Sequence, residues 1–353
     1  SRRTVSVFLD EWVRAIRPAV RPATWSKYRT YCDSYIKPVI GDTALQDLTP
    51  VRINLLYAHL LAEGRRHRRG TQGAGVSPAT VTTVHQVFHR ALGDAVKWDY
   101  LSRNPADNAE RPKLDRRAPT VWTPDQLRTF IKHVRKDRLY ALYLLAITTG
   151  LRRGALVGLR RPDVDLDTGT VSSSRPRIVV DNKAVDGEHK TDSAYRPLAL
   201  DPVTADALRA HVERWERERA ALKFTADLLF CWPDGTGIHP DTVTDWFQAH
   251  AKAAGLPVIR LHDVRHSYAT AALKSGVHPK VVSERLGHAS VAFTLSAYSH
   301  VMPGMDRDAA GAIADLILGV PEPTQDPDVR KSVRTDPETP LTEDQGEGET
   351  PGT

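Results

Sequence analysis

With 353 residues, 41% of them hydrophobic and 26% charged, the chain is long enough for two globular domains with real cores, and its net charge of +6 suits a polyanionic partner. It holds no apolar run of about 18 residues that could cross a membrane, and two cysteines (Cys32 and Cys231) without a CxxC exclude a disulfide framework or a zinc module, which fits a reducing cytoplasm. The N-terminal "SRRTVSVFLDEW" is charged within a few residues of a very short apolar stretch and does not read as a secretory signal.

The first elements are helical. "VSVFLDEWVRAI" places Val5, Phe8, Leu9, Trp12, Val13 and Ile16 at helix spacing. "ATWSKYRTYCDSYIKPVIG" predicts a second helix that stops near Pro38 and Gly41. "TPVRINLLYAHLLAEG" predicts a third, with Thr49 as N-cap, Pro50 in the first turn and Gly64 at the end. "SPATVTTVHQVFHRALGDAVKW" repeats the Ser-Pro start and predicts a long fourth helix. Between the last two lies "GRRHRRGTQGAG", a loop carrying Arg65, Arg66, Arg68 and Arg69, which are read as phosphate contacts more than base readers. Residues 1–120 hold 20 Lys and Arg against 11 Asp and Glu, or +9, so a basic helical domain over residues 1–107 is expected, followed by a polar, proline-containing linker over 108–120.

The second domain is expected over residues 121–319. "TPDQLRTFIKHV" opens it with a capping box of Thr123 and Gln126. "LYALYLLAITTG" reads as a buried helix, and residues 162–200 carry Asp-Thr-Gly and Asp-Gly turn signals between short Val/Ile runs, the pattern of a small antiparallel sheet. Helices resume from Asp201 to Gly319. Residues 320–353 form an acidic, apolar-poor tail expected to be disordered; 321–353 hold nine acidic against three basic residues.

One stretch conflicts with its surroundings. "TTGLRRGALVGL" reads as buried helix, yet Arg152 and Arg153 sit in its middle. A guanidinium is rarely buried without a partner, so an anion is expected there. Further on, "LHDVRHSYATAAL" puts His262 and Arg265 three residues apart on one helix face. A second such pair, His211 and Arg214 in "HVERWERER", sits among charges and reads as solvated surface. "RLGHASVAFTLSAYSHV" then brings His288 after Gly287, and Tyr298 ten residues later. Taken singly, that His and that Tyr read as core residues.

In combination, Arg152 after Thr-Gly-Leu, Lys190 in "HKTDSAYRPLAL", the His262/Arg265 pair, Gly287-His288 and finally Tyr298 resemble, in order and context, the tyrosine recombinase (phage integrase) family. The first domain is similar to that family's helical core-binding (SAM-like) DNA-binding domain in "PATWSKYRTYCDSYIKPVIG" and "ALGDAVKWDYLSRNPA". The fold implied is mainly α with a small antiparallel β-sheet: a helical core-binding domain plus a mixed α/β catalytic domain, closed as a C-shaped clamp on DNA. The implied function is site-specific DNA recombination through a 3′-phosphotyrosyl intermediate and a Holliday junction.

The chemistry agrees with that resemblance. Breaking a DNA strand without a metal needs a protein nucleophile, and a phenol with pKa near 10 needs cationic and hydrogen-bonding neighbours to act as one. The resemblance implies Tyr298 as nucleophile, Arg152 and Arg265 as clamps on the scissile phosphate, Lys190 as general acid, His262 as an aid to proton transfer near the tyrosine, and His288 as a phosphate hydrogen-bond donor. Lys183 is a rival for the acid. Arg153 reads as a surface or DNA-backbone contact, Asp263 as orienting or capping its own helix, and His300 as structural. No cofactor and no metal are expected. One position departs from the family: where a Glu or Asp usually follows "TGLRRG", this chain has Ala155.

The expected partner is double-stranded DNA at attachment sites, bound by a homotetramer, with an excisionase or host bending factor as candidate accessory proteins and no membrane. The final helix, "GMDRDAAGAIADLILG", suits docking on a neighbouring protomer or on its own domain. The excess of arginine over lysine points to a GC-rich, actinobacterial-type source, and since many members of the family carry an arm-binding domain before the core-binding one, a start directly at the core-binding helix reads as a truncation. The expected location is the bacterial cytoplasm, at the nucleoid. Two other readings stay open: a type IB topoisomerase-like relaxing enzyme, and a DNA-binding regulator weakened by Ala155.

Overall fold

The computed structural model describes residues 3–64, 75–114, 120–188, 197–288, 290–298, 313–314 and 316–318. The arginine loop at 65–69, Lys190, His300 and the acidic tail lie outside them. Among the described residues no helix is long and apolar enough to cross a membrane.

The N-terminal helices follow from their caps and their apolar stripes. Helix α1 (Val5–Ala15) is capped by Thr4 and buries Val5, Phe8, Leu9, Trp12 and Val13. Helix α2 (Pro22–Tyr31) runs on through a π turn at Cys32–Ile36 into α3 (Lys37–Ile40), so it passes Pro38 and stops at Gly41, the other expected end. The wide turn moves the backbone bonds out of step, with the Lys37 amide donating to the Cys32 carbonyl, and Pro38 becomes the second residue of a new helical start, where its missing N–H costs nothing. Helices α4 (Pro50–Glu63) and α5 (Pro78–Lys97) begin as their Thr-Pro and Ser-Pro pairs predict: Thr49 accepts from the Arg52 amide and Ser77 from the Thr80 amide. Such caps are worth about 1 kcal/mol each. Together α1, α4 and α5 enclose a core that includes Phe8, Trp12, Leu56, Val84, Phe88 and Leu92.

A second core lies beyond residue 120. Helix α6 (Pro124–His133) opens with the expected capping box of Thr123 and Gln126. Helix α7 (Tyr140–Thr149) is apolar on all sides and buried, the signature of a central helix. Around it the rings of Trp122, Phe130, Tyr143 and Phe247 pack with centroids 5.0–5.6 Å apart. The expected sheet divides in two: β1 (Val164–Asp165), β2 (Thr170–Val171) and β5 (Leu198–Ala199) pair antiparallel in the order β1-β2-β5, while β3 (Arg177–Val180) and β4 (Lys183–Asp186) form a separate hairpin. The hairpin turns on Asp181 and Asn182 with φ of 49° and 60°, a left-handed pair that matches the strand twist. Its tip reaches α2, where Ser26 and Arg29 donate to the Asp181 carboxylate at 2.5 and 2.7 Å.

Helices α9 (Pro202–Leu222), α10 (Pro240–Ala253), α11 (Leu261–Lys274), α12 (Pro279–Leu286) and α13 (Val291–Tyr298) complete the arrangement. Residues 224–239, expected to be helical, instead make extended bridges from Leu228 to Arg160 and from Cys231 to Gly237. Proline, glycine and aspartate in "FCWPDGTG" favour that turn chemistry. By contacts, both cores belong to one compact unit.

Candidate active site

The site begins where α7 ends. Gly150 takes φ 65°, and a Cβ there would lie 2.6 Å from Leu286 Cδ2 and 2.8 Å from the Tyr268 ring. Glycine therefore permits both the left-handed cap and the close approach of α11 and α12. The chain then extends through Leu151 and starts helix α8 (Arg153–Val157) with Arg152 at its N-cap. This geometry separates the two arginines. Arg153 turns to α10, donating to Asp241 Oδ1 at 2.7 Å and Thr244 Oγ1 at 2.9 Å. Arg152 turns to the end of α12 and donates to the Gly287 carbonyl at 3.0 Å. Contrary to the apolar look of the stretch, Arg152 is exposed: an N-cap stands at the rim of its helix, not along its packed face.

Arg265 is the buried arginine, 5% exposed. It projects from α11, whose start is fixed by Asp263: that carboxylate accepts from the Arg260 amide at 3.1 Å and from the Arg260 guanidinium at 2.8 and 3.0 Å. Arg265 donates to the Gly150 carbonyl at 2.8 Å and to the Leu286 carbonyl. Burial, and Arg152 beside it, push its guanidinium down to about 9, so it keeps its charge at neutral pH. The two arginines are held by backbone carbonyls, and among the described residues neither has a carboxylate partner. Ala155, 7% exposed on α8, brings a methyl group in place of one. Two neighbouring, uncompensated guanidinium groups make an anion-binding corner.

The histidines and the tyrosine close around this corner. Gly287 ends α12 at φ 60°, and His288 follows it with Nδ1 2.7 Å from Thr294 Oγ1. Burial, then Arg265 and Arg152, push His288 down to about 4. His262 and His266 lie one turn apart on α11, ring centroids 5.4 Å apart and edge to face. Tyr298 is 1% exposed, and its Oη lies 2.7 Å from His266 Nδ1. Burial raises the phenol to about 12 despite the pull of Arg265.

Thus Arg152, His262, Arg265, His288 and Tyr298, each singled out by sequence, come together from α8, α11, α12 and α13. Lys190 and Arg65, Arg66, Arg68 and Arg69 lie outside the described residues. Lys183 sits exposed on β4 beside the hairpin tip that meets α2. The sequence reading passed over His266. Its signal was present: it follows Arg265 directly and stands four residues after His262, hence on the same face.

In the other HxxR pair the histidine proves to be interior and the arginine half-buried. His211 is 4% exposed on α9, its Nε2 2.8 Å from the Leu229 carbonyl and its ring 4.7 Å from that of Phe230. Arg214 meets His211 Nδ1 at 2.8 Å and donates to the Arg138 carbonyl. The expectation of solvated surface fails because the flanking charges point outward while Leu208, His211, Val212 and Trp215 share the buried stripe of the helix.

Residues 120–304 match the phage integrase family, and residues 4–61 match the phage integrase N-terminal SAM-like domain. Among curated proteins, the chain is 26% identical to the ICEBs1 integrase of Bacillus subtilis, over 88% of this chain and 87% of that protein. It is 24% identical to a tyrosine recombinase XerC-like protein of Caldanaerobacter subterraneus, over 89% of this chain and 84% of the relative. Among solved structures, the Tn1549 transposon integrase in complex with a circular intermediate DNA superposes with a TM-score of 0.72 at 18% identity, over 88% of this chain and all of the other.

Proposed function

The chain belongs to the phage integrase family, and from that premise we propose that it is a site-specific DNA recombinase that cuts and rejoins strands with Tyr298. One observation carries this reading: Arg152, His262, Arg265, His288 and Tyr298, spread over three distant stretches of sequence, form one corner with two uncompensated guanidinium groups beside a phenol.

In this reading the scissile phosphate binds at Arg152 and Arg265, whose N–H groups meet the non-bridging oxygens on which charge accumulates. His288 adds a hydrogen bond to a phosphate oxygen. Tyr298 Oη attacks phosphorus in line with the leaving 5′-oxygen, giving a 3′-phosphotyrosyl bond, and Lys190 protonates that leaving oxygen. His262 helps to move the proton near the tyrosine. The phosphotyrosyl bond conserves the energy of the broken linkage, so a 5′-hydroxyl of a second duplex can attack it and release Tyr298. Exchange between two duplexes uses four active sites, hence a tetramer on DNA, with an excisionase or bending factor as accessory partner. Residues 1–107 serve as core-binding domain and 121–319 as catalytic domain, with Arg65, Arg66, Arg68 and Arg69 on the DNA backbone. Arg153, paired with Asp241, supports α8 from behind and reaches DNA only by leaving that pair.

A nicked suicide duplex built on the sequence that the chain protects in footprinting tests this reading. A covalent protein–DNA adduct that disappears in Tyr298→Phe is expected. Site-specific binding without an adduct would leave a DNA-binding regulator instead, and relaxation of supercoils without joining of partner duplexes would leave a topoisomerase-like enzyme.

A further inference from the structure

A phenol held near 12 is ionised in only about one molecule in 10⁵ at pH 7. The nucleophile therefore needs a base that takes its proton as the bond to phosphorus forms. We infer that His266 is that proton acceptor, because its Nδ1 stands 2.7 Å from Tyr298 Oη and is, among the described residues, the hydrogen-bond partner of that oxygen. The inference rests on the recombinase reading above and assigns a role to a residue which that reading leaves unused.

The geometry favours His266 over His262. Both rings rise from the same face of α11, but His262 meets the edge of the His266 ring at 5.4 Å, one place further from the phenol. His288 is engaged elsewhere, with Thr294. The groups facing His266 are His262, Asp263, Arg260 and Arg265 on its own helix, Tyr298 from α13 and His288 from the turn after α12. Burial first, then Arg265 and Arg260, lower its affinity for a proton, against an opposing pull from Asp263. The ring is thus neutral at pH 7 and open to accept.

The step balances. The Tyr298 O–H bond breaks and its proton moves to His266 Nδ1. The Oη–P bond forms, the bond from phosphorus to the 5′-oxygen breaks, and that oxygen takes a proton from Lys190. On rejoining, the incoming 5′-hydroxyl returns its proton to Lys190, and the His266 imidazolium returns its own to the departing tyrosine oxygen.

The test uses the full chain and the footprint-derived nicked duplex in two forms, one with an ordinary phosphate and one with a bridging 5′-sulfur, whose thiolate leaves without an acid. His266→Ala is expected to slow adduct formation about 10²-fold or more on both duplexes, the usual scale for general base catalysis. Lys190→Ala is expected to recover on the sulfur substrate only. His266→Asn keeps an acceptor oxygen where Nδ1 stands but cannot take the proton. It is expected to bind the site like the unaltered chain and still cleave slowly, at a rate that climbs with pH where the unaltered chain has levelled off. Wild-type cleavage by either His266 variant, or recovery of His266→Ala on the sulfur substrate, would overturn the inference alone. An absence of Tyr298-dependent adduct from the unaltered chain would overturn the recombinase reading with it.

Discussion

Two helices of this chain carry the same HxxR spelling, and they do opposite things with it. On α9, His211 and Arg214 pair with one another and with the backbone around them: ring nitrogen to guanidinium, the other ring nitrogen to the Leu229 carbonyl, and the guanidinium on to the Arg138 carbonyl. On α11, Arg265 is braced by two carbonyls, Arg152 sets a second positive charge beside it, and the neighbouring His266 stands next to a phenol. The first pair is closed on itself, with Glu218 and Asp137 offsetting its guanidinium charge. The second has charge left over and, among the described residues, no carboxylate partner. What distinguishes a site from a structural motif here is the unmet electrostatic demand, not the spacing.

The largest effect expected from this contrast is on catalysis. Arg265→Ala should lower adduct formation about 10²- to 10³-fold, the loss typical of one preorganised donor at a developing oxyanion, and should also weaken the fold by leaving the Gly150 and Leu286 carbonyls unpaired. Arg214→Ala should leave cleavage per folded molecule unchanged while lowering the melting temperature. The check is adduct yield on the suicide duplex, normalised to the protein that binds it. Equal catalytic losses in the two variants would erase the distinction.

Next in size is the stability of the closed pair. His211→Ala removes a buried ring and its bond to Leu229, and should destabilise by about 2–3 kcal/mol in urea unfolding. His262→Ala, at an exposed position on α11, should change stability by less than about 1 kcal/mol and act on cleavage instead.

These contrasts also show what the sequence could and could not tell. The caps at Thr49, Ser77 and Thr123 were legible, because capping is local and its residue types are few. So were Arg152, Arg265, His288 and Tyr298, because their order and neighbours are specific. Pro38 misled because a π turn changes the backbone phase before it, and no residue type announces that turn. His211 misled because Glu213, Arg214, Glu216 and Arg217 dominate its neighbourhood by number, while its place on the stripe Leu208–His211–Val212–Trp215 decides its burial. Arg152 and Arg153 are one residue type side by side, told apart in the sequence only by the family resemblance. They diverge because one caps a helix and the other begins it, and that depends on the left-handed turn at Gly150.

Acidity probes the closed pair more gently. Burial pushes His211 down to about 4, whereas an unfolded histidine titrates near 6.5. The unfolded chain therefore binds this proton first as pH falls. The stability that His211 contributes is complete above pH 6.5 and declines between 6.5 and about 4. At most about 3 kcal/mol is at stake in that window. Urea midpoints measured at pH 7.5 and pH 4.5 should draw apart less in His211→Phe than in the unaltered chain. The same difference for both proteins would mean that the ring is already charged in the fold.

The smallest effect, and the one that most sharpens the contrast, is expected at Ala155. The arginine corner has no carboxylate among the described residues, and the family's usual acidic side chain is replaced by a methyl group on α8, one turn after Arg152. A carboxylate there would do two opposing things. It would hold an arginine in place, which helps, and it would cancel part of the charge that draws the phosphate, which hurts. Backbone carbonyls from Gly150, Leu286 and Gly287 already orient both guanidinium groups, so the first gain is small, and the second loss is shared between two cations. Ala155→Glu should therefore cleave the suicide duplex within about threefold of the unaltered chain, a change of about 0.6 kcal/mol in the barrier. A loss beyond tenfold would show that the corner depends on remaining uncompensated, and that the unmet charge which separates α11 from α9 sets the rate as well as marking the place.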